Sequence, residues 1–427
     1  MICIPNKNSA IRGTMRPFSD FVVVGGGILG LTIAREIKAR YPSSTITVFE
    51  KERALGLHAS GRNSGVIHAG LYYEPASLKA QLSVEGAQRM REFCYDHKLP
   101  ILERGKLVLP LSPDDGVRLN SLFDRAQANG VKVEIVDQNQ ISELEPTARS
   151  LTGLAIHSPK TSVMDPKAVM LKLYELLKSD GVKMCFGSGV LSVNPFEKYV
   201  ELKHERHSYG FLINCAGAFS DRIARSCQLK SDYCSIPFKG IYFDVTGLDP
   251  IPRKLLYPLP DLRAPFLGVH FTTSVSGELS LGPNAIPALG RENYQGLRGV
   301  DWRGLTANVL RLSGLYLKDS NGFRALVHRE LSCLFRRVLA AEAQKLIPGF
   351  KSSMIGKVIK VGIRPQIFNL KENRLEMDFI VERTANEIHI LNSISPGFTC
   401  ALSFADYVVD RMAISGQEDR ESKQKLA

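Results

Sequence analysis

No apolar run in the 427 residues is long enough to span a bilayer, so the sequence gives no signature of a transmembrane helix. No two of the eight cysteines form a C-x-x-C pair; Cys3, Cys94, Cys185, Cys215, Cys227, Cys234, Cys333 and Cys400 are scattered. A chain this long needs no disulfide staples, and a reducing compartment is expected. Zinc-finger spacing, an RNP-like aromatic box and a lysine-rich arm are all missing, which argues against a nucleic-acid partner. No metal is expected, and no internal repeat recurs. Acids are in deficit: 43 Asp and Glu stand against 55 Lys and Arg, a formal charge of +12. That balance suits an anionic membrane surface, a small dianion, or simply a solvated basic surface. Residues 1–19 carry Lys7, Arg12 and Arg16 with no acid before Asp20, and they lack a secretory apolar core. They read as a leader or a disordered extension.

What is present starts with Phe21-Val22-Val23-Val24-Gly25-Gly26-Gly27-Ile28-Leu29-Gly30. This is a short buried strand, a glycine turn and a helix start. Gly25 allows the tight turn, Gly27 lets backbone approach a pyrophosphate, and Gly30 lets the helix lie close on the strand. Ile33, Ala34 and Ile37 share a helical face with Gly30. A second strand, Thr45 to Phe49, ends in Glu50, followed by Lys51. A carboxylate there can accept hydrogen bonds from both ribose hydroxyls of an adenosine. The segment is a dinucleotide site, open to FAD or NAD.

Alternation of strands and helices favours a parallel sheet at the start. From Ile236 to Pro283 the pattern becomes antiparallel, residues 302–346 are mainly helical, and Ala401 to Met412 is a last helix. The expected class is α/β: a Rossmann-like nucleotide domain with an inserted α+β substrate domain containing a mainly antiparallel sheet. Residues 20–95, 152–235 and 355–415 are assigned to the nucleotide domain, 96–151 and 236–354 to the insertion, and 416–427 to a disordered tail.

Four further segments carry chemistry. Ser60 to Gly70 is rich in small and hydrogen-bonding residues; Arg62, Asn63, Ser64 and Gly65 suit close approach to a flat ring and its diphosphate, and His68 is a possible base or a satisfied interior imidazole. Ile213 to Asp221 ends a strand in small residues, with Ala216 and Gly217 placed for a cofactor or for a plain turn. Gly362-Ile363-Arg364-Pro365 sets one arginine at a strand end, where its fork suits a carboxylate or a structural ion pair. Gly397, Phe398 and Thr399 precede the last helix, whose N-terminus can stabilise negative charge or be an ordinary cap.

Together these segments resemble FAD-dependent oxidoreductases of the D-amino-acid-oxidase type. The strings Asn63 to Tyr73, Pro75-Ala76-Ser77-Leu78-Lys79-Ala80, Pro237-Phe238-Lys239-Gly240, Tyr257 to Asp261, Pro265 to Phe271 and Leu281 to Ala285 are most similar to L-2-hydroxyglutarate dehydrogenases and oxidases. The likeness runs from about Asp20 to about Met412. The family often has arginine where Lys239 stands and histidine where Arg62 stands. The resemblance implies FAD and oxidation of a 2-hydroxy acid to a 2-oxo acid, with hydride passing to flavin N5.

On that resemblance, Arg364 is expected to hold the C1 carboxylate, and His68 or His270 to be the general base. His270 is favoured for substrate contact and His68 for a place beside the flavin. Lys239 or Tyr257 is expected to meet the distal carboxylate. Quinone or oxygen would reoxidise the flavin. Arg324, Arg329, Arg336 and Arg337 lie among Leu326, Leu331, Leu334 and Phe335, either a surface for peripheral contact with an anionic membrane or a solvated helix. The expected place is cytoplasmic, peripheral on an inner membrane, or mitochondrial in a eukaryote. Rival readings are a glycerol-3-phosphate dehydrogenase or amine oxidase on the same scaffold, a non-catalytic flavin-bearing subunit, and an NAD dehydrogenase.

Overall fold

The computed structural model describes residues 16–229, 232–263 and 266–424. The first strand, Phe18–Val24, forms the centre of an eight-stranded sheet. It pairs in parallel with Arg206–Asn214 on one side and Ile46–Phe49 on the other; Glu387–Ile390 and Lys183–Cys185 extend the parallel set. Val24 is in register with both Asn214 and Phe49, so three strands end at one edge. Gly25, Glu50 and Cys215 therefore emerge side by side, at the carboxyl edge where open α/β sheets hold their ligands.

Helix Ile28–Arg40 buries Gly30, Ile33, Ala34 and Ile37 together, the face expected from spacing. Gly30 is there for steric reasons: a Cβ would sit 2.0 Å from the Gly25 carbonyl oxygen. Two further helices, Pro166–Ser179 and Ala401–Gln424, cover the same layer. The last helix runs on across 416–424, which had been assigned to a disordered tail. Its Gln, Glu, Lys and Arg are good helix formers, and no proline interrupts them. At the other end, Phe18 and Ser19 already belong to the first strand, and residues 1–15 of the expected leader lie outside the described residues.

The second sheet has ten strands and is mostly antiparallel. Its spine is the long pair Tyr233–Val245 and Ile355–Asn369. His270–Thr273 and Leu279–Gly282 follow, then Leu255–Pro258, which joins Lys106–Leu109 in parallel. Strands Leu154–Ser158 and Ile355–Asn369, grouped by sequence with the nucleotide domain, hydrogen-bond into this second sheet. Sequence alone cannot assign either strand to one sheet or the other, because the partners are distant in the chain. The two layers meet where Gly362 lies against Arg62: a Cβ on Gly362 would approach the Arg62 carbonyl oxygen to 2.7 Å. This contact lays the 59–64 loop on the second sheet.

Candidate active site

A cavity of about 870 Å³ runs from the carboxyl edge of the first sheet to the face of the second. One end is built by the glycine turn. Gly25 adopts φ +106° and its missing Cβ makes room for the Cys215 carbonyl, 2.4 Å from where that atom would be. The helix that follows begins at Gly27, which has no side chain to cap it; the Ile28 N–H donates instead to Ser60 Oγ at 3.0 Å. Glu50 accepts the Gly26 N–H (2.8 Å) and the Glu52 N–H (2.9 Å), which fixes its carboxylate at the strand end. Beyond it, Lys51 donates to Glu52 (2.6 Å), His58 Nε2 (2.7 Å) and Glu292, while His58 Nδ1–H reaches the Tyr294 hydroxyl at 2.7 Å. Glu52, His58 and Glu292 could hold a metal by geometry, but the Lys51 ammonium already supplies the cation among them.

These residues fit an adenine dinucleotide with a flavin head. The observation that supports the fit is the glycine-lined cradle: Gly25, Gly27, Ala216 and Gly217 all line the cavity, and a Cβ on Gly217 would meet nothing within 4 Å. A helix N-terminus without its own cap faces the same space, as a diphosphate requires.

The other end is ringed by Tyr72, Tyr73, Tyr242, Tyr257, His68, His270, Lys79 and Arg364. Arg364 and Tyr242 belong to the two paired spine strands and project from the same sheet face; the register sets Phe238 opposite Arg364 and Gly240 opposite Gly362. Arg364 packs 5.5 Å from the Phe266 ring and has no carboxylate partner among the described residues. Burial raises the phenols of Tyr72, Tyr73, Tyr242 and Tyr257 above their ordinary value, so they are donors rather than bases near neutrality.

The two imidazoles are buried and neutral. Burial, with Lys106, His270 and Arg364 adding repulsion, holds His68 well below its usual range. His270 is drawn down to about 3 by burial, a hydrogen bond to the Gly268 carbonyl opposing the shift and Arg364 and Lys106 adding to it. That hydrogen bond, 2.8 Å from Nδ1, puts the proton on Nδ1 and leaves Nε2 as an acceptor. Stacking on Tyr257, 3.8 Å between centroids at 17°, fixes the ring plane. The His68 backbone N–H donates to Thr399 Oγ1 at 3.1 Å, and its Nδ1 has no hydrogen-bond partner among the described residues.

Most of the sequence-derived residues line this one cavity: Gly25, Gly27, Glu50, Lys51, Arg62, Asn63, Ser64, His68, Ala216, Gly217, Tyr257, His270, Arg364, Gly397, Phe398 and Thr399. Three do not. Gly30 packs helix on strand, and Gly65 (φ +77°) sits against the Met164 carbonyl, 2.5 Å from an added Cβ. Lys239 corrects the substrate assignment: strand alternation turns it away from Gly240 and Tyr242, and its Nζ donates to Asn293 Oδ1 at 2.9 Å. Arg62 is engaged with the Leu57 and Val361 carbonyls (2.6 and 3.2 Å) and stacks 4.1 Å from the Tyr294 ring. The Thr399 hydroxyl clips the segment Val66 to His68, accepting the His68 N–H and reaching the Val66 carbonyl at 3.4 Å.

Two buried lysines, one in the family-like string Pro75 to Ala80 and one heading an apolar strand, receive no role from the sequence. Lys79 lines the cavity at 6% exposure, 5.9 Å from the Tyr73 ring and 5.7 Å from the Phe379 ring. It lies in the stripe Lys79, Ser83, Gly86, Met90 and Cys94, all buried on helix Leu78–Asp96, so its helical spacing was the available signal. Lys106 heads a strand whose four residues are all buried. Its Nζ has no hydrogen-bond partner among the described residues and lies 4.5 and 5.0 Å from the Tyr72 and Tyr257 rings.

Comparison with known proteins bears on this cavity. The family described as FAD dependent oxidoreductase matches residues 20–411. L-2-hydroxyglutarate dehydrogenase, mitochondrial, of Caenorhabditis elegans is 34% identical over 92% of this chain and 92% of its own length. L-2-hydroxyglutarate dehydrogenase of Escherichia coli (strain K12) is 30% identical over 92% of this chain and 93% of its own. Among solved structures, L-alpha-glycerophosphate oxidase from Mycoplasma pneumoniae with FAD bound superposes with a TM-score of 0.74 at 19% identity, covering 92% of this chain and 94% of that one, and so shares the fold.

Proposed function

Because the chain belongs to the FAD dependent oxidoreductase family, we propose that it is an FAD-dependent dehydrogenase that oxidises L-2-hydroxyglutarate to 2-oxoglutarate. The observation that carries the reading is one buried chamber. In it a carboxylate-free arginine, two neutral imidazoles and four protonated phenols face the mouth of a dinucleotide cradle. Bound FAD supplies the two-electron acceptor.

Arg364 holds the C1 carboxylate with two parallel N–H donors, which sets C2 and its hydroxyl towards the imidazoles. Removing the hydroxyl proton needs a base that is deprotonated before substrate enters. Every carboxylate lining the cavity is already occupied: Glu50 by backbone N–H groups, Glu74 by Arg125, Asp261 by Arg263 and Glu292 by Lys51. The imidazoles remain. The fixed tautomer of His270 favours its Nε2 as proton acceptor. Tyr257 holds the His270 ring plane, and the tyrosine ring around the site excludes water.

An anaerobic titration tests the reading. L-2-hydroxyglutarate should bleach the yellow protein stoichiometrically, and its D-enantiomer, glycerol 3-phosphate and sarcosine should not. Bleaching by glycerol 3-phosphate alone would transfer the reading to a glycerophosphate enzyme.

We also propose that the acceptor is a membrane quinone reached by peripheral contact. Among the described residues no helix is long and apolar enough to cross a membrane. Support comes from the exposed face of helix Trp302–Lys318, where Trp302 (68%), Val309, Leu310 and Leu317 lie at helical spacing. The arginine stripe read from sequence contributes less, because Arg324 and Arg336 bind backbone carbonyls and Arg329 pairs with Glu330. Mitochondrial residence in a eukaryotic host follows the C. elegans relative. Trp302→Ser with Leu310→Ser should abolish sedimentation with anionic vesicles; undiminished binding would remove this face from the role.

A further inference from the structure

We propose that Lys79 receives the second carboxylate of the substrate, so that the chamber selects a 2-hydroxy dicarboxylate over a monocarboxylate. The proposal rests on the reading above that this cavity oxidises a 2-hydroxy acid.

The argument is an account of charge. The cavity's other cations are matched within the protein. Lys51 is shared by Glu52 and Glu292, Arg125 pairs with Glu74 at 2.9 Å, Arg222 with Asp301 at 2.7 Å, and Arg291 with Asp221 at 2.8 Å. Arg62 is spent on backbone carbonyls and the Tyr294 face. Two cations are left at the chamber end, Arg364 and Lys79, neither in an ion pair among the described residues. The acid nearest Lys79 is Asp378, whose oxygens accept the N–H groups of Leu78 (2.7 Å), Lys79 (2.9 Å) and Phe379 (2.8 Å). It attracts the ammonium through space without bonding it.

The Lys79 side chain is 6% exposed, with its Nζ 5.9 and 5.7 Å from the Tyr73 and Phe379 rings; Asp378 and Cys400 act on it through space, and no hydrogen bond among the described residues ties it, so little of its hydration in water is replaced. Arg364 and Lys79 also repel each other, and burial pulls Lys79 down to about 8. A dianion with a carboxylate at each end supplies both missing acceptors and cancels that repulsion. A monoanion would satisfy Arg364 and leave Lys79 as it is. The competing residues are less suited: Lys239 points away from the cavity, and Lys106 lies behind the Tyr72 and Tyr257 rings.

The test compares the FAD-loaded wild type with Lys79→Met and Lys79→Gln, using L-2-hydroxyglutarate and L-2-hydroxybutyrate as substrates. Glutarate and butyrate, which cannot be oxidised, serve as binding probes read from the flavin absorbance shift. In the wild type glutarate should bind more tightly than butyrate. In either variant the kcat/KM ratio of dicarboxylate to monocarboxylate should fall roughly 10- to 100-fold, carried by KM, with glutarate binding weakened in parallel. Equal losses for both substrates would overturn the proposal. So would a wild type that binds glutarate no better than butyrate, a measurement that needs no variant to fold. If no hydroxy acid is oxidised but glutarate is preferred and the variants lose it, the subsite stands and the oxidation reading falls.

Discussion

Replacing Arg364 by lysine separates charge from shape at the centre of the chamber. The arginine sits on the long strand Ile355–Asn369, its backbone in register with Phe238, so lysine leaves the sheet ladder intact. It keeps the positive charge but can offer only one well-aligned donor where the fork offers two. Hydrogen bonds to charged groups contribute about 1.5–3 kcal/mol each, so losing one should raise KM roughly 10- to 150-fold. The carboxylate is held in both the ground state and the transition state, so kcat should fall much less than kcat/KM. Methionine at the same place removes both donors and leaves a substrate charge buried without a partner, a loss of about 3–5 kcal/mol. Steady-state kinetics with an artificial electron acceptor, on protein checked for full flavin content and an unchanged melting temperature, measures both. An Arg364→Lys enzyme with KM within twofold of wild type would refute the carboxylate clamp and leave Arg364 as a scaffold residue against Phe266.

Three more outcomes follow from the same chamber. With His270 held at about 3 in the free enzyme, the acid limb of kcat/KM should lie well below the ordinary imidazole value, because the neutral base persists until that low pH. His270→Gln should lower kcat by about 10²- to 10⁴-fold and remove the limb; if only His68→Gln does so, the base is His68. Lys106 has a folded value near 7, depressed by burial from 10.5, so its contribution to stability is complete above 10.5 and is lost as pH falls towards 7. The melting temperature of the flavin-free protein should therefore rise between pH 7 and pH 10, and Lys106→Met should flatten that slope; an unchanged slope would count against a buried, unpartnered ammonium. Gly30→Ala puts a methyl 2.0 Å from the Gly25 carbonyl, which nothing can relieve without parting helix and strand. A loss of about 1–3 kcal/mol together with the yellow colour is expected, measured by thermal melting and absorbance, and a stable yellow variant would contradict the packing argument.

The cradle was legible because local rules govern it. A tight turn, a helix start and a strand-end carboxylate lie within about thirty residues, and each requires a particular residue type for a steric or electrostatic reason. Arg364 and His270 owe their expected roles to the family resemblance, since the residues alone left Arg364 open to a structural ion pair; the structure sets Arg364 inside the strand Ile355–Asn369 rather than at its end, and His270 at the start of His270–Thr273. Lys239 failed because it was carried over from the string Pro237-Phe238-Lys239-Gly240 without regard to strand parity. Once Tyr242 and Gly240 face the cavity, alternation sends Lys239 to the other face, and the parity was already available in the strand Tyr233–Val245. Lys79 and Lys106 received no role for a different reason. A lysine is ordinarily a surface residue, and its presence inside a buried helical stripe or an apolar strand was not counted as a signal. An ammonium placed where every neighbour is apolar is among the more costly features a chain can keep. For Lys79, which lines the chamber, the proposed ligand carboxylate recovers that cost; Lys106 lies behind the Tyr72 and Tyr257 rings, outside the cavity. Charge at an apolar position, read against the period of its own helix or strand, therefore points to substrate recognition more directly than charge at the surface does.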